Sequence, residues 1–317
     1  MGSVISAAIG TLRRLRRRIL TTTALAVVLA VTALALPDST TQEPDTVLVA
    51  TAKAKAVDIG KDVVWILAVG SDARRGEHIV KSRGDAIQMV GINPKTGAAA
   101  ILGVPRDSWV EIPGYGSNKI NSALYFGGPE LFGEVVGNLV GIQPDYVFIT
   151  GFGGLRDLVR SIGGVTVDNP TYFNDSILNP EGYAVGKIHV NGDDAVTYGR
   201  ARHSLLRGDF DRSANQQRLL KGIQQKVRRK RDQAGFLAKG VLGVIDKMYT
   251  DLSPAKLFKL AHLLAAVNPN KVTNCVVQGS IGTVGEASVV LPFTDMARQM
   301  GKDAKDDAVI SECLSPW

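Results

Sequence analysis

Between Tyr198 and Arg218 the chain reads YGRARHSLLRGDFDRSANQQR, with five arginines (Arg200, Arg202, Arg207, Arg212, Arg218), two acids (Asp209, Asp211) and a glutamine pair. Guanidinium forks grip phosphate oxygens two at a time, so arginines at this density suit an anion of high charge such as a pyrophosphate. On an extended segment Arg200 and Arg202 share a face. Arg212 and Gln216 lie one turn apart on the helix predicted by the apolar stripe Leu219, Leu220, Ile223 and Val227. The positive end of that helix adds to the attraction. A solvated basic patch is the plainer reading of the same residues.

A second group of charges sits upstream. The apolar runs Val63–Val69, Ala86–Ile92 and Ala98–Val104 read as strands, and Asn93-Pro-Lys-Thr-Gly97 reads as a tight turn between the last two. Asp72 then follows the first strand, Arg83 and Asp85 open the second, and Arg106 and Asp107 follow the third. The hairpin connection predicts that all of them gather at one edge of a sheet. Asp72 and Asp85 together suit Mg2+, which takes one or two carboxylates and completes its shell with water and phosphate oxygens. Structural ion pairs with Arg74, Arg75 and Arg83 are the alternative. The chain has no Walker A loop, GxSxG elbow or HExxH helix, so the common nucleotide, serine-hydrolase and zinc chemistries have no support.

The elements that must position these residues alternate. A helix is expected from Pro129 to Leu139, a strand over Tyr146–Thr150, a helix over Phe152–Ile162 and a strand over Val165–Val167. Asn169–Val190, with its Pro, Asn and Gly residues, reads as an irregular loop, and Asn191 as the cap of a short helix that leads to Arg200. Ser253-Pro254 opens a further helix. Strands over Val272–Gln278 and Ala287–Leu291 and a helix from Phe293 complete a single α/β/α layered domain with a central mixed sheet.

The N-terminus sets the compartment. Arg13, Arg14, Arg16, Arg17 and Arg18 precede Ile19–Leu36, eighteen residues without a charge, which Pro37 ends. That length spans a bilayer with the arginines on the cytoplasmic side; a cleaved signal peptide is the rival reading, and either places the rest outside. The expected organisation is a basic cytoplasmic tail over 1–18, a transmembrane helix over 19–36, an extracytoplasmic linker over 37–61 and a catalytic domain over 62–317. Removing the five arginines of the acid-free first 36 residues takes the net charge from +7 to about +2, which gives no electrostatic case for nucleic-acid binding. The run Lys226, Arg228, Arg229, Lys230 and Arg231 reads as a solvated helix face or a contact for anionic lipid headgroups. Cys275 and Cys313 are either a disulfide, expected in an exported chain, or two free thiols.

Five stretches carry a family resemblance: GSDAR at 70–74, RGDAIQMV at 83–90, VPRDSWVEIPGYG at 104–116, KINSALYFGGPEL at 119–131, and YGRARH with GDFDR and the glutamine pair. In order and spacing they resemble the LytR-CpsA-Psr family of cell-wall glycopolymer ligases, over roughly residues 63–230. The resemblance implies an enzyme that transfers a glycan from a polyprenyl-pyrophosphate carrier to peptidoglycan with Mg2+ at the pyrophosphate. It assigns Asp72 and Asp85 to the metal and Arg83, Arg106, Arg200, Arg202 and Arg218 to the phosphates. Arg212 and Gln216 would line the same pocket, Lys119 and Asn121 would lie near it, and Asp209 would assist deprotonation of the acceptor hydroxyl. The Ala- and Arg-rich composition points to a GC-rich actinobacterial source, with arabinogalactan, teichoic or capsular polymers as donors.

Overall fold

In the computed structural model of the chain the described residues are 44–54, 59, 62–74, 76–201, 204–233, 235–236 and 248–315. The expected cytoplasmic tail and the apolar stretch 19–36 lie outside them, as do Arg75 and Arg202. Among the described residues no helix is long and apolar enough to cross a membrane.

In chain order the elements are β1 (Thr46–Ala50), β2 (Val64–Ser71), β3 (Gly84–Ile92), β4 (Ala99–Gly103), β5 (Trp109–Ile112), β6 (Gly116–Lys119) and α1 (Ser122–Val140). Then come β7 (Tyr146–Thr150), α2 (Phe152–Ser161), β8 (Val165–Asn169), β9 (Phe173–Asp175), β10 (Asn179–Tyr183), β11 (Gly186–Val190) and α3 (Gly192–Arg200). The chain continues through α4 (Asp209–Lys230), β12 (Met248–Thr250), α5 (Pro254–Ala266), β13 (Val272–Val276), β14 (Gly279–Val284), β15 (Ala287–Pro292) and α6 (Thr294–Ala304). Seven strands make one mixed sheet in the order β12-β1-β7-β2-β3-β4-β13. The β2–β3 and β3–β4 pairs are antiparallel, as the hairpin reading requires, while β2–β7 and β4–β13 are parallel.

Period-two alternation along β2 divides the core. Trp65, Leu67 and Val69 face one layer with Ile87, Met89 and Leu102, beneath Phe132 and Val136 of α1 and Met300 of α6. Val64 and Ile66 face the other with Ile92, Ala99 and Tyr146, beneath Leu257, Leu260 and Leu263 of α5. Each such fully buried side chain contributes roughly 1.5–3 kcal/mol of transfer free energy. A third cluster joins α2, β8, α3 and α4 around Tyr198.

Three expectations need correction. The linker reading of 37–61 fails over Thr46–Ala50, which is an interior strand paired on both sides, with β7 and β12. Its five residues are too few to show a period between polar neighbours. The loop reading of 169–190 fails because backbone pairing organises it: β8 pairs with β11 and β9 with β10. The helix expected at Pro129 begins at Ser122 and bends at Gly127 and Gly128, which leaves Pro129 at the first turn of its second segment, where a missing N–H costs nothing. Apart from these, α4 packs Leu219 and Ile223 into the third cluster and faces the sheet with polar residues. Gln217 Nε2 donates to Cys275 O at 2.7 Å and Gln88 Nε2 to Ser213 Oγ at 3.1 Å. A Cβ on Gly103 would lie 2.4 Å from Ser213 Oγ, so the bare glycine is what lets the helix approach β4.

Cys275 of β13 and Cys313 form a disulfide. Closing a loop of that length contributes about 4 kcal/mol on the chain-entropy account.

Candidate functional site

The charges at the ends of β2, β3 and β4 do come together. Beyond the last paired residues, the Asp72 N–H donates to Arg83 O at 3.0 Å and the Arg83 N–H returns a bond to Asp72 Oδ1 at 2.8 Å, which fixes the carboxylate at the sheet edge. Asp85 accepts a hydrogen bond from Arg106 Nη1, and both side chains are about one-fifth exposed (21% and 18%). The Arg106 backbone N–H donates to Asp209 Oδ2 at 2.8 Å, and Arg212 Nη2 donates to Asp209 Oδ1. A continuous run of alternating charge, Asp85–Arg106–Asp209–Arg212, therefore crosses from β3 to the first turn of α4.

Two neighbours hold this run in place. Lys119 Nζ lies 2.9 Å from Asp107 Oδ1, closing the base of the β5–β6 hairpin against the Arg106 segment. Asn121 is buried and works through its backbone: its N–H donates to Arg106 O at 3.3 Å and its carbonyl accepts from the Gly84 N–H at 3.2 Å.

Burial dominates the electrostatics. It raises the carboxyl pKa of Asp209 above its ordinary value, with Asp107 adding to the rise and Arg212 and Arg106 opposing it. Burial likewise raises Asp72, opposed by its bond from the Arg83 N–H and reinforced by the like charge of Asp85. Burial works against the Arg106 cation, but Asp85, Asp107 and Asp209 outweigh it and its pKa is raised. Arg106 Nε is nevertheless buried with no hydrogen-bond partner among the described residues, its ion-pair partner Asp107 Oδ2 lying 3.8 Å away, too far to accept one. An orphaned donor on a clamped guanidinium is costly unless an anion oxygen meets it.

The other expected residues divide. Gln216 joins the site to α3: its Nε2 donates to Gly199 O at 3.1 Å and its Oε1 accepts from Gln88 Nε2 at 3.3 Å. Arg200 follows Gly199, exposed, with its guanidinium 4.4 Å from the centre of the Phe152 ring. Arg83 is also exposed, and among the described residues neither it nor Arg200 has a side-chain ion pair. Arg218 instead donates to Asn215 Oδ1 of its own helix at 2.6 Å and meets the Tyr198 hydroxyl of α3. Arg202 lies outside the described residues. Sequence reasoning passed over Gln88, whose signal was a lone amide in the apolar strand β3.

Alongside the run lies a cleft of about 520 Å3 lined by Asp107, Asp209, the Leu205–Gly208 segment and Val290 of β15. Asp72, whose carboxyl is desolvated, lies within reach of the charge of Asp85, and among the described residues no group of three or more His, Cys, Asp or Glu side chains is placed to hold a metal ion. Clamped and unpaired guanidiniums beside them fit a polyphosphate.

Residues 32–306 match the LytR_cpsA_psr family. The chain is 30% identical over 202 residues to the polyisoprenyl-teichoic acid–peptidoglycan teichoic acid transferase TagU of Enterococcus faecalis (strain ATCC 700802 / V583), covering 63% of this chain and 65% of that one. To the protein of the same name from Bacillus subtilis (strain 168) it is 35% identical over 176 residues, 54% of this chain and 55% of that one. The chain thus spans between half and two thirds of the curated relatives it matches. Among solved structures it resembles the LytR-CPS2A-psr family protein YwtF (TagT) with bound octaprenyl pyrophosphate lipid, with TM-score 0.60 and 23% identity over 78% of this chain and 91% of that one. At that identity the likeness is one of fold.

Proposed function

The chain belongs to the LytR_cpsA_psr family, and from that membership we propose that it is a phosphotransferase moving a glycopolymer from a polyprenyl-pyrophosphate carrier onto peptidoglycan. The observation that carries the reading is the clamped Arg106, its guanidinium held by Asp85 and its backbone N–H by Asp209, with a buried Nε–H that makes no hydrogen bond among the described residues. That Nε–H is a ready donor to a phosphate oxygen. Arg83 and Arg200, exposed and without side-chain ion pairs, add positive charge toward the same anion, as does Arg202 on this reading.

In the reaction the acceptor hydroxyl attacks the phosphorus that bears the glycan. The bond from that phosphorus to the bridging oxygen breaks, and polyprenyl phosphate leaves. Asp209 takes the hydroxyl proton, a role its raised pKa equips it for. Arg212 and the Arg106 N–H hold that carboxylate in place. Mg2+ held by Asp72 and Asp85 would supply neutralisation of the pyrophosphate charge. Most of the rate gain in such a transfer comes from positioning and charge stabilisation, which a rigid run of paired charges supplies.

On the same reading the Ile19–Leu36 stretch anchors the protein in the cell membrane, with the arginine cluster inside and the catalytic domain outside, beside both substrates. The test is a reaction of the full-length chain in detergent micelles with a polyprenyl-pyrophosphate-linked sugar, peptidoglycan fragments and Mg2+, read by mass spectrometry. A sugar-phosphate adduct on peptidoglycan that disappears with Arg106→Ala establishes the transferase. Free sugar phosphate without an adduct makes the protein a hydrolase instead.

A further inference from the structure

The β5–β6 hairpin has its base in the site and its tip elsewhere. At the base Trp109 pairs with Lys119, next to the Arg106–Asp107 segment; at the tip Ile112 pairs with Gly116. Three residues of antiparallel strand separate the two ends, about 10 Å. The tip presents Tyr115 between Gly114 at φ 81° and Gly116 at φ 70°, a backbone path that side-chain-bearing residues rarely adopt. Tyr115 stacks on Phe126 of α1 with ring centres 4.7 Å apart and planes 5° from parallel. Its hydroxyl donates to Phe126 O at 3.1 Å, which fixes the ring's orientation. Tyr125 meets Phe126 edge-on at 5.9 Å. Phe126 is rooted against the core, whereas Tyr115 and Tyr125 remain 53% and 61% exposed.

A single exposed tyrosine needs no explanation. Three rings locked together at the end of a hairpin whose base is the catalytic run form a rigid aromatic platform, and the C–H face of a pyranose is the ligand chemistry such a platform fits. Charge narrows the choice between glycans. The nearby Glu111 carboxylate accepts from Ser117 Oγ at 2.9 Å, and Lys119 is already paired with Asp107. That surface does not favour a polyanionic chain. Resting on the transferase reading, we propose that Tyr115, Tyr125 and Phe126 hold a sugar of the peptidoglycan glycan strand, positioning the acceptor beside Arg106.

The experiment uses the full-length chain in detergent micelles and a peptide-free tetrasaccharide of the peptidoglycan backbone. Saturation-transfer NMR on wild type should show contact to the sugar C–H groups. Tyr115→Ala and Tyr125→Ala should each abolish most of that signal and raise the acceptor KM on the order of tenfold, the size of one lost aromatic contact with its buried area. The donor KM should not move. Tyr125→Phe, which keeps the ring, should restore binding, and unchanged thermal melts would show that the variants fold. Equal saturation transfer in wild type and both alanine variants overturns the platform. So does a loss confined to binding of anionic lipid vesicles, which would make the rings a membrane contact. Binding of the tetrasaccharide through these rings, with no transfer from any donor, would leave the platform standing and remove the transferase reading.

Discussion

The two ends of α4 carry the same residue types to opposite purposes. At the N-terminal end Arg212 is 5% exposed and pairs with Asp209, inside a run that leaves Arg106 Nε–H without a hydrogen-bond partner among the described residues. At the C-terminal end, about 30 Å away along a helix of this length, the basic residues close off other helices. Lys226 Nζ and Lys230 Nζ donate to Gly163 O and Ile162 O at the end of α2, at 2.9 and 3.1 Å. Arg228 Nη1 donates to Ala266 O and Val267 O at the end of α5, at 2.8 and 2.6 Å. Cations there satisfy orphan carbonyls and the negative ends of helix dipoles. Neither a solvated face nor a lipid contact is needed to account for Lys226, Arg228 and Lys230. Positive charge alone does not mark a site. What distinguishes the N-terminal end is clamped charge with bonding capacity left over.

Breaking that contrast should have graded effects. The largest is expected from Arg106→Ala, which removes the orphaned donor: transfer should fall by about 10²–10³-fold in kcat/KM, as for loss of one charge-stabilising group. Lys226→Ala, measured in parallel, should leave kcat/KM unchanged; an equal loss would erase the distinction between the two ends. Asp209→Asn keeps an oxygen for the Arg106 N–H while removing the proton acceptor. A drop on the order of 10²-fold is expected, together with loss of the acidic limb of the pH–rate profile. A drop below fivefold with that limb intact would make Asp209 only a strut.

Arg228→Ala should behave the opposite way, costing roughly 1–2 kcal/mol in a denaturant titration with an unchanged slope, and nothing in turnover. The smallest effect on turnover belongs to Tyr198 of α3, which meets Arg218 in the middle of α4. Burial pushes the Tyr198 hydroxyl up to about 12 from 10.0, with Arg218 opposing. A folded pKa above the unfolded one means stability that is whole below pH 10 and lost as pH rises through 12, by roughly 3 kcal/mol. Tyr198→Phe should flatten the stability curve over that window, at a cost of roughly 1–2 kcal/mol at pH 7 for the bonds the hydroxyl makes to Asn169 and Arg218.

How much of this could be read from the chain depended on whether its cause was local. β2 was legible because a central strand buried on both faces is a continuous apolar run. β1 was not, because its place between β7 and β12 is set by partners far along the chain. The gathering of Asp72, Arg83, Asp85 and Arg106 followed from one short turn, so hairpin geometry sufficed. The ties of Gln216 to Gln88 and Gly199 require α3, α4 and β3 to be packed first, and no spacing encodes them. Arg218 shows the same limit, since its turn toward Tyr198 depends on which face of α4 meets α3.

The disulfide reaches beyond the fold's own stability. β13 is the last strand of the sheet, paired with β4 on one side only. An open strand edge is a template on which a second chain can dock. Here Cys313 is bonded to Cys275, and the Ile310 N–H donates to Thr273 Oγ1 at 3.0 Å, so the tail is stapled along that strand. Under reducing conditions the staple opens and the edge becomes available to neighbouring copies, so self-association should appear before unfolding does. The cross-link thereby guards an open edge as well as bracing the fold.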